Sequence, residues 1–387
     1  LGNKAGGQES WAMRNFALEV FFSKWEFAAK HHLTASDAQS MTLSELLALA
    51  SDGDRARYHA LHLGYTRTFG SPTLLAEIAR TYDAITDAQL LCFAGAEEGI
   101  YVAMRVLLQP DDHAIVITPN YQAAETIPLS ICAVTGVPLD QANRWALDID
   151  AVEAALRPNT ILISINFPNN PTGAIPSHAT FDALVELCRS RGIWLFSDEV
   201  YRLIERDPAR RLPQVADVYE RGVSLNVMSK AYGLPGLRIG WLACQDRAFL
   251  DACERYKHYL SICNSAPSEL LAEVALKARD TILARNRGIV RHNTALLDAF
   301  FADFPDVFDW HPSDGGCVAF VRYKGVDGVQ AFTERLVEES GVLLLPSSIY
   351  HSELGPVPQD HFRIGFGRQG MEVGLAAFRD WLMRNRA

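Results

Sequence analysis

The sequence predicts an α/β protein: a large domain built on a mostly parallel sheet sandwiched by helices, followed by a smaller α+β domain. Three observations carry this. From about Leu90 to about Leu260, short β-rich runs alternate with helical patterns, as expected for parallel strands joined by crossover helices and covered on both faces. After Pro267 the alternation gives way to a long helical stretch and then a short mixed pattern. The composition, 49% hydrophobic and 21% charged over 387 residues, is that of a soluble globular protein with a sizeable core, long enough for two domains or one large α/β unit.

The first element is FALEVFFSKWEF (16–27), amphipathic and rich in large apolar groups. It suits a helix packed on its own subunit or an arm crossing to a partner. The strand candidates are LLCFA (90–94), HAIVIT (113–118), TILISINF (160–167), IWLFS (193–197), VSLNVM (223–228) and RIGWLAC (238–244). Between them, EEGIYVAMRVLL (97–108) and HATFDALVELCRSR (178–191) place apolar residues at helical spacing. Residues 268–304 read as one long helical stretch, CVAFVRY (317–323) and VLLLP (342–346) as strands, and 372–384 as a final helix. The expected boundaries are 1–45 for an N-terminal arm with part of the small domain, 46–267 for the large domain, and 268–387 for an interdomain helix and C-terminal small domain.

Charge narrows the partners. The 36 basic and 46 acidic residues give a net charge of −10, and the two signs are interspersed. No basic face recommends nucleic acid or an anionic membrane, which leaves small molecules. The apolar runs fall short of the roughly 18 residues of a spanning helix. The chain begins at Leu1 and shows no basic-then-apolar leader. Seven scattered cysteines without a CxxC pair read as reduced thiols, so a cytoplasmic location is expected. His59 and His62, and the adjacent His31 and His32, lack the companions of a metal set, and no metal is expected.

The chemistry-bearing motifs fall at strand ends, where an open parallel sheet binds its ligands. AGAEEG (94–99) is a strand, a glycine turn and a helix start; free N–H groups and the helix dipole there suit a phosphate. NFPNNPTG (166–173) runs from an apolar strand into a turn, with Asn170 holding a side-chain amide at the sheet edge. SDEVY (197–201) places Asp198 at the end of a buried strand, where a carboxylate needs a cation or a protonated ring nitrogen as partner. Tyr201 follows closely enough to share the site.

SKAYGLPGLRIG (229–240) puts Lys230 after the apolar run VSLNVM, with Arg238 eight residues on. A lysine that is partly desolvated and set beside cations loses its proton more readily and attacks carbonyls. In the last segment, RIGFG (363–367), Arg363 sits on a strand candidate and can take a carboxylate in bidentate fashion. Each of these motifs has an ordinary structural explanation when taken singly; their order along the chain does not.

That ordered set, with GYTRTFGSP (64–72) before it and PNY (119–121) within it, resembles the class I/II aminotransferase family of fold type I pyridoxal-phosphate-dependent enzymes. The resemblance spans Tyr65 to Arg363. It implies a seven-stranded, mostly parallel sheet, a pyridoxal 5'-phosphate cofactor, and a homodimer with active sites at the subunit interface. It implies that Lys230 is the Schiff-base lysine, that Asp198 pairs with the pyridine nitrogen, and that Asn170 and Tyr201 hold the ring 3-oxygen. Tyr121 would stack on the ring; Gly95, Ala96, Glu97, Ser229 and Arg238 would surround the phosphate. Tyr65 would reach the partner's phosphate, and Arg363 with Asn170 would hold the substrate carboxylate.

Two positions depart from the family pattern. Val227 stands where relatives usually carry a hydroxyl three residues before the lysine, and PSSIY (346–350) lacks a glycine after its proline. The implied activity is amino transfer between an L-amino acid and a 2-oxo acid. Trp25-Glu26 and SDAQSMTLSELL (36–47) resemble a branch that includes capreomycidine-synthase-type cyclases, so elimination or cyclisation on the same cofactor stays open. A non-catalytic cofactor-binding sensor would need a basic DNA-binding unit ahead of the fold, and the residues before Tyr65 do not read as one.

Overall fold

The computed structural model describes residues 13–385. The first twelve residues of the expected N-terminal arm, and the region where a leader would start, lie outside the described residues. The large sheet has seven strands: β1 Leu90–Phe93, β2 His113–Thr118, β3 Ala133–Pro138, β4 Thr160–Asn166, β5 Trp194–Asp198, β6 Gly222–Val227 and β7 Gly240–Cys244. Their spatial order is β1-β7-β6-β5-β4-β2-β3. All neighbours are parallel except β7, which runs antiparallel to both β1 and β6.

Apart from β3 the strands are largely buried along both faces, β2 at every residue and so too β1, although β1 forms one edge of the sheet. This is why they read as unbroken apolar runs and not as alternating ones. β3 is the exception and has no counterpart among the strand candidates. It lies at the sheet edge, is mostly part-exposed, and contains Gly136 and Pro138. Glycine and proline are tolerated at an edge because no second neighbour needs the pairing, and they hide the strand from an apolar-run criterion.

Helices cover both faces. Among them are Ala96–Leu107, entered through Gly95, and His178–Arg191, where the Ser177 side chain caps the start and Gly192 in the left-handed region ends it. The expected single helix of 268–304 is two, Ala266–Lys277 and Arg279–Ala302. Ala278 breaks it with φ −94° and ψ 14°. An alanine gives no local warning of such a break.

The smaller sheet contains β8 Phe308–Asp309, β9 Val318–Tyr323, β10 Leu345–Pro346 and β11 His361–Gly365 in the order β10-β11-β9-β8, all antiparallel. The expected strand 342–346 is divided: Val342–Leu343 instead pairs in parallel with His31–His32. From there the N-terminal chain crosses toward the large sheet. Gly365 donates its N–H to the Leu33 carbonyl at 2.8 Å, and Ala38 donates to the Lys230 carbonyl at 3.3 Å. Residues 33–38 therefore pass between the two sheets at the ends of β5 and β6.

Candidate active site

Parallel register brings the motifs level. Asn166 pairs with Asp198 across β4 and β5, and Asp198 pairs with Leu225 across β5 and β6. The turn after β6 carries Ser229 and Lys230. These strand ends open into a cavity of about 350 Å³. Ala96, Glu97, Tyr121, Asn170, Asp198, Tyr201, Ser229, Lys230 and Arg238 all line it. A larger cleft of about 830 Å³ lies between the segments around Asp140 and His311, but it contains no lysine and none of these residues.

The Lys230 amine donates to the Ser36 hydroxyl at 2.9 Å and lies 5.9 Å from the Tyr201 ring centroid. Burial, aided by the Arg363 guanidinium, holds its pKa below the ordinary lysine value, against the opposing pull of Asp37 and Asp198. Burial pushes the Asp198 carboxyl up to about 6, although the Val200 N–H donates to it at 3.2 Å. A buried carboxyl in this state gains from a cationic partner. The Asn166 amide donates to the Asp198 carbonyl at 3.0 Å, and its oxygen accepts the Asn170 N–H at 2.8 Å. Asn166 thus ties two strand ends together.

At the far wall the helix Ala96–Leu107 starts from Gly95, at φ 97° with no side-chain cap. A Cβ at Gly95 would overlap the Arg238 guanidinium, which packs over this turn. Only glycine satisfies both the backbone angle and the approach. Uncapped N–H groups with an arginine across them make an anion pocket. Val227, 3% exposed, lines the same cavity without offering a hydrogen bond. Burial raises Glu97 to about 7, and its Oε2 has no hydrogen-bond partner among the described residues.

Arg363 stands behind Asn170 and off the cavity wall. Its guanidinium donates to the Asn170 side-chain oxygen at 3.1 Å, to the Tyr350 hydroxyl at 2.7 Å and to the Thr34 carbonyl at 2.8 Å. Its Nε is buried without a partner among the described residues. The Tyr201 hydroxyl donates to the Ser36 carbonyl at 2.8 Å. Tyr65 is not brought to this cavity; it is 92% exposed in an outer loop beside Leu63.

Ser36, Asp37, Asn166, Tyr350 and Arg368 also belong to the site but were not singled out from sequence. Arg368 grips Asp37 through two hydrogen bonds of 2.9 and 3.0 Å. For Asn166 and Tyr350 a signal existed, as both sit inside motifs already recognised. Ser36 and Asp37 likewise open the segment SDAQSMTLSELL (36–47), but that segment carried no site chemistry, and they reach the site because the N-terminal chain crosses between the sheets.

A lysine and a buried carboxyl at level strand ends face an uncapped helix start with an arginine across it. The chain belongs to the family described as aminotransferase class I and II, whose profile matches residues 34–377. Capreomycidine synthase of Streptomyces vinaceus is 30% identical over 94% of this chain and 93% of its own length. An arginine–pyruvate transaminase of Pseudomonas aeruginosa is 31% identical over 74% of this chain and 72% of its own length. Among solved structures, a pyridoxal-phosphate-dependent aminotransferase from Streptococcus suis superposes with a TM-score of 0.89, at 30% identity over 96% of this chain and 98% of that one. The pyridoxal-phosphate-dependent cyclase OrfR gives a TM-score of 0.86 at 25% identity, over the full length of both chains.

The cofactor is pyridoxal 5'-phosphate. The residues present fit it: the uncapped helix start and Arg238 match its phosphate, and the raised Asp198 carboxyl, which feels Lys230 but forms no ion pair among the described residues, would suit a ring N–H. Among the described residues, no helix is long and apolar enough to cross a membrane.

Proposed function

We propose that the protein is an aminotransferase that moves an amino group between an L-amino acid and a 2-oxo acid, with Lys230 as the residue that binds the cofactor and carries the proton. The observation supporting this most is the position of the Lys230 amine: in the cavity, held by Ser36, and biased by burial toward its neutral form. When bound, the cofactor supplies the electron sink for breaking a bond at the substrate Cα.

The protein's part is positioning and proton handling. Arg238 and the N–H groups at Ala96 and Glu97 hold the phosphate, with Ser229 beside them. Asp198 keeps the ring nitrogen protonated, Tyr121 covers the ring face, and Asn170 and Tyr201 face the 3-oxygen. Asn170 on the cavity wall, with Arg363 and Tyr350 behind it, is assigned to orient the substrate carboxylate so that its Cα faces Lys230. The freed Lys230 amine then moves the Cα proton as general base and acid. The exposed Tyr65 loop is assigned to a partner subunit's site in a homodimer.

Cyclisation or elimination is the second reading, favoured by the similarity to capreomycidine synthase and to the cyclase OrfR. A panel of L-amino acids, with arginine and pyruvate as the first pair because of the transaminase similarity, separates the two by cofactor absorption and product analysis. Release of an oxo acid with an aminated cofactor supports transfer. A restored starting spectrum with a cyclic or eliminated product overturns it in favour of the second reading. Borohydride reduction followed by peptide mass spectrometry should mark Lys230, and a label on any other lysine would refute its role.

A further inference from the structure

The outer wall of the active-site cavity is made by one face of the helix Ala17–Trp25 and the residue after it. Leu18, Glu19, Phe22 and Glu26 line the cavity. Positions 19, 22 and 26 are three and four apart, so they form one stripe on the helix. Both glutamates stand on the cavity side of that helix.

The other charges of the cavity are already committed. Arg368 is paired with Asp37 through both carboxylate oxygens. Lys230, Asp198 and Arg238 belong to the cofactor end in the reading given above. His32, held down to about 4 by burial and Arg368, is uncharged near neutral pH. Among the described residues, Glu19 and Glu26 have no ion pair and no side-chain hydrogen bond. Burial raises both Glu97 and Tyr121, and the Glu19 carboxylate across the cavity adds to each. Opposite Glu19 and Glu26, at the start of the helix Ala96–Leu107, Glu97 adds a buried carboxyl oxygen without a partner among the described residues. Phe22 lies between the two glutamates on the stripe and lines the same cavity, its ring packed against that of His32 at 5.6 Å.

We propose that Glu19 and Glu26 are specificity-determining residues that select an amino acid with a guanidinium or ammonium group at the end of its side chain. This rests on the reading of the cavity as an amino-acid site and adds the substrate class. The α-carboxylate turns toward Arg363 at the inner end, and the side-chain cation turns outward to the glutamates. An acidic or phosphorylated side chain meets two uncompensated negative charges and is disfavoured.

The test uses the cofactor-loaded enzyme with L-arginine against its neutral isostere L-citrulline, and L-lysine against L-norleucine. Cofactor absorption is followed for the wild type, Glu19→Gln, Glu26→Gln and the double variant. Both glutamates are exposed, so the variants should keep the fold. Expected is a preference of tenfold or more in kcat/KM for each cationic member, weakened by added salt. In the double variant that preference should fall to within about threefold, while the rates for citrulline and norleucine stay unchanged. Equal rates for charged and neutral members in the wild type would overturn the proposal, as would a preference that survives in the double variant. A response to neutral amino acids alone would overturn it while leaving the amino-acid site intact. No spectral response to any amino acid would overturn both readings together.

Discussion

Arg363 and Asn170 are joined directly, the guanidinium donating to the amide oxygen at 3.1 Å. Tyr350 closes the triangle, accepting from Arg363 at 2.7 Å and donating to the same Asn170 oxygen at 2.9 Å. The substrate-carboxylate and ring-oxygen positions assigned to these residues are therefore coupled through one hydroxyl.

Tyr350→Phe keeps the ring but removes that hydroxyl. A hydrogen bond to a charged group contributes about 1.5–3 kcal/mol. The expected result is a fall of roughly ten- to a hundredfold in kcat/KM for the amino acid, mostly through KM. Steady-state kinetics on a folded variant checks this, and unchanged kinetics would mean Arg363 is positioned without Tyr350.

Gly95→Ala should weaken cofactor binding through its phosphate. The substitution meets both a φ of 97° and the Arg238 guanidinium, so Arg238 must move away from the helix start. Equilibrium dialysis should show at least a tenfold loss for pyridoxal phosphate. Affinity for pyridoxal, which lacks the phosphate, should change little; an equal loss for both would place the damage elsewhere.

Asp198 makes the stability of the cofactor-free protein depend on pH. Its carboxyl titrates near 6 in the fold and near 3.9 when unfolded. Between those values the native state holds more protons, so this residue costs stability as pH rises from about 4 to about 6. Cofactor-free Asp198→Asn should therefore melt above the wild type at pH 7, with the gap closing below pH 4. Bound cofactor should reverse the order at pH 7, because a ring N–H favours the carboxylate. Melting curves across pH, with and without cofactor, decide it.

Val227→Ser places a hydroxyl on the cavity wall at the position where the family pattern usually carries one. Release of cofactor during dialysis should slow several-fold, consistent with about 1 kcal/mol from one added hydrogen bond. Identical release rates would show that the valine position does not reach the phosphate.

The alternating pattern from Leu90 to Leu260 made the sheet legible, because strands buried on both faces leave unbroken apolar runs in the chain. The strand-end motifs were legible for a related reason: glycine, asparagine and proline mark turns, and a lone Asp198 or Lys230 after an apolar strand is costly without a partner. β3 was not legible, since it is an edge strand left part-exposed, unlike the buried edge strand β1, and so needs few apolar residues, and neither was the break at Ala278, which carries no glycine or proline.

Sequence alone therefore determined the scaffold and the residues at the strand ends, since those leave local patterns of burial and backbone preference. Tertiary structure alone decided what surrounds them. Ser36 reaches Lys230 across 194 positions and Arg368 reaches Asp37 across 331, because the chain crosses between two packed sheets. The same packing turns Glu19 and Glu26 toward the cavity. Contacts of that kind arise from the closing of one element on another, and nothing in the local spacing of residues records them.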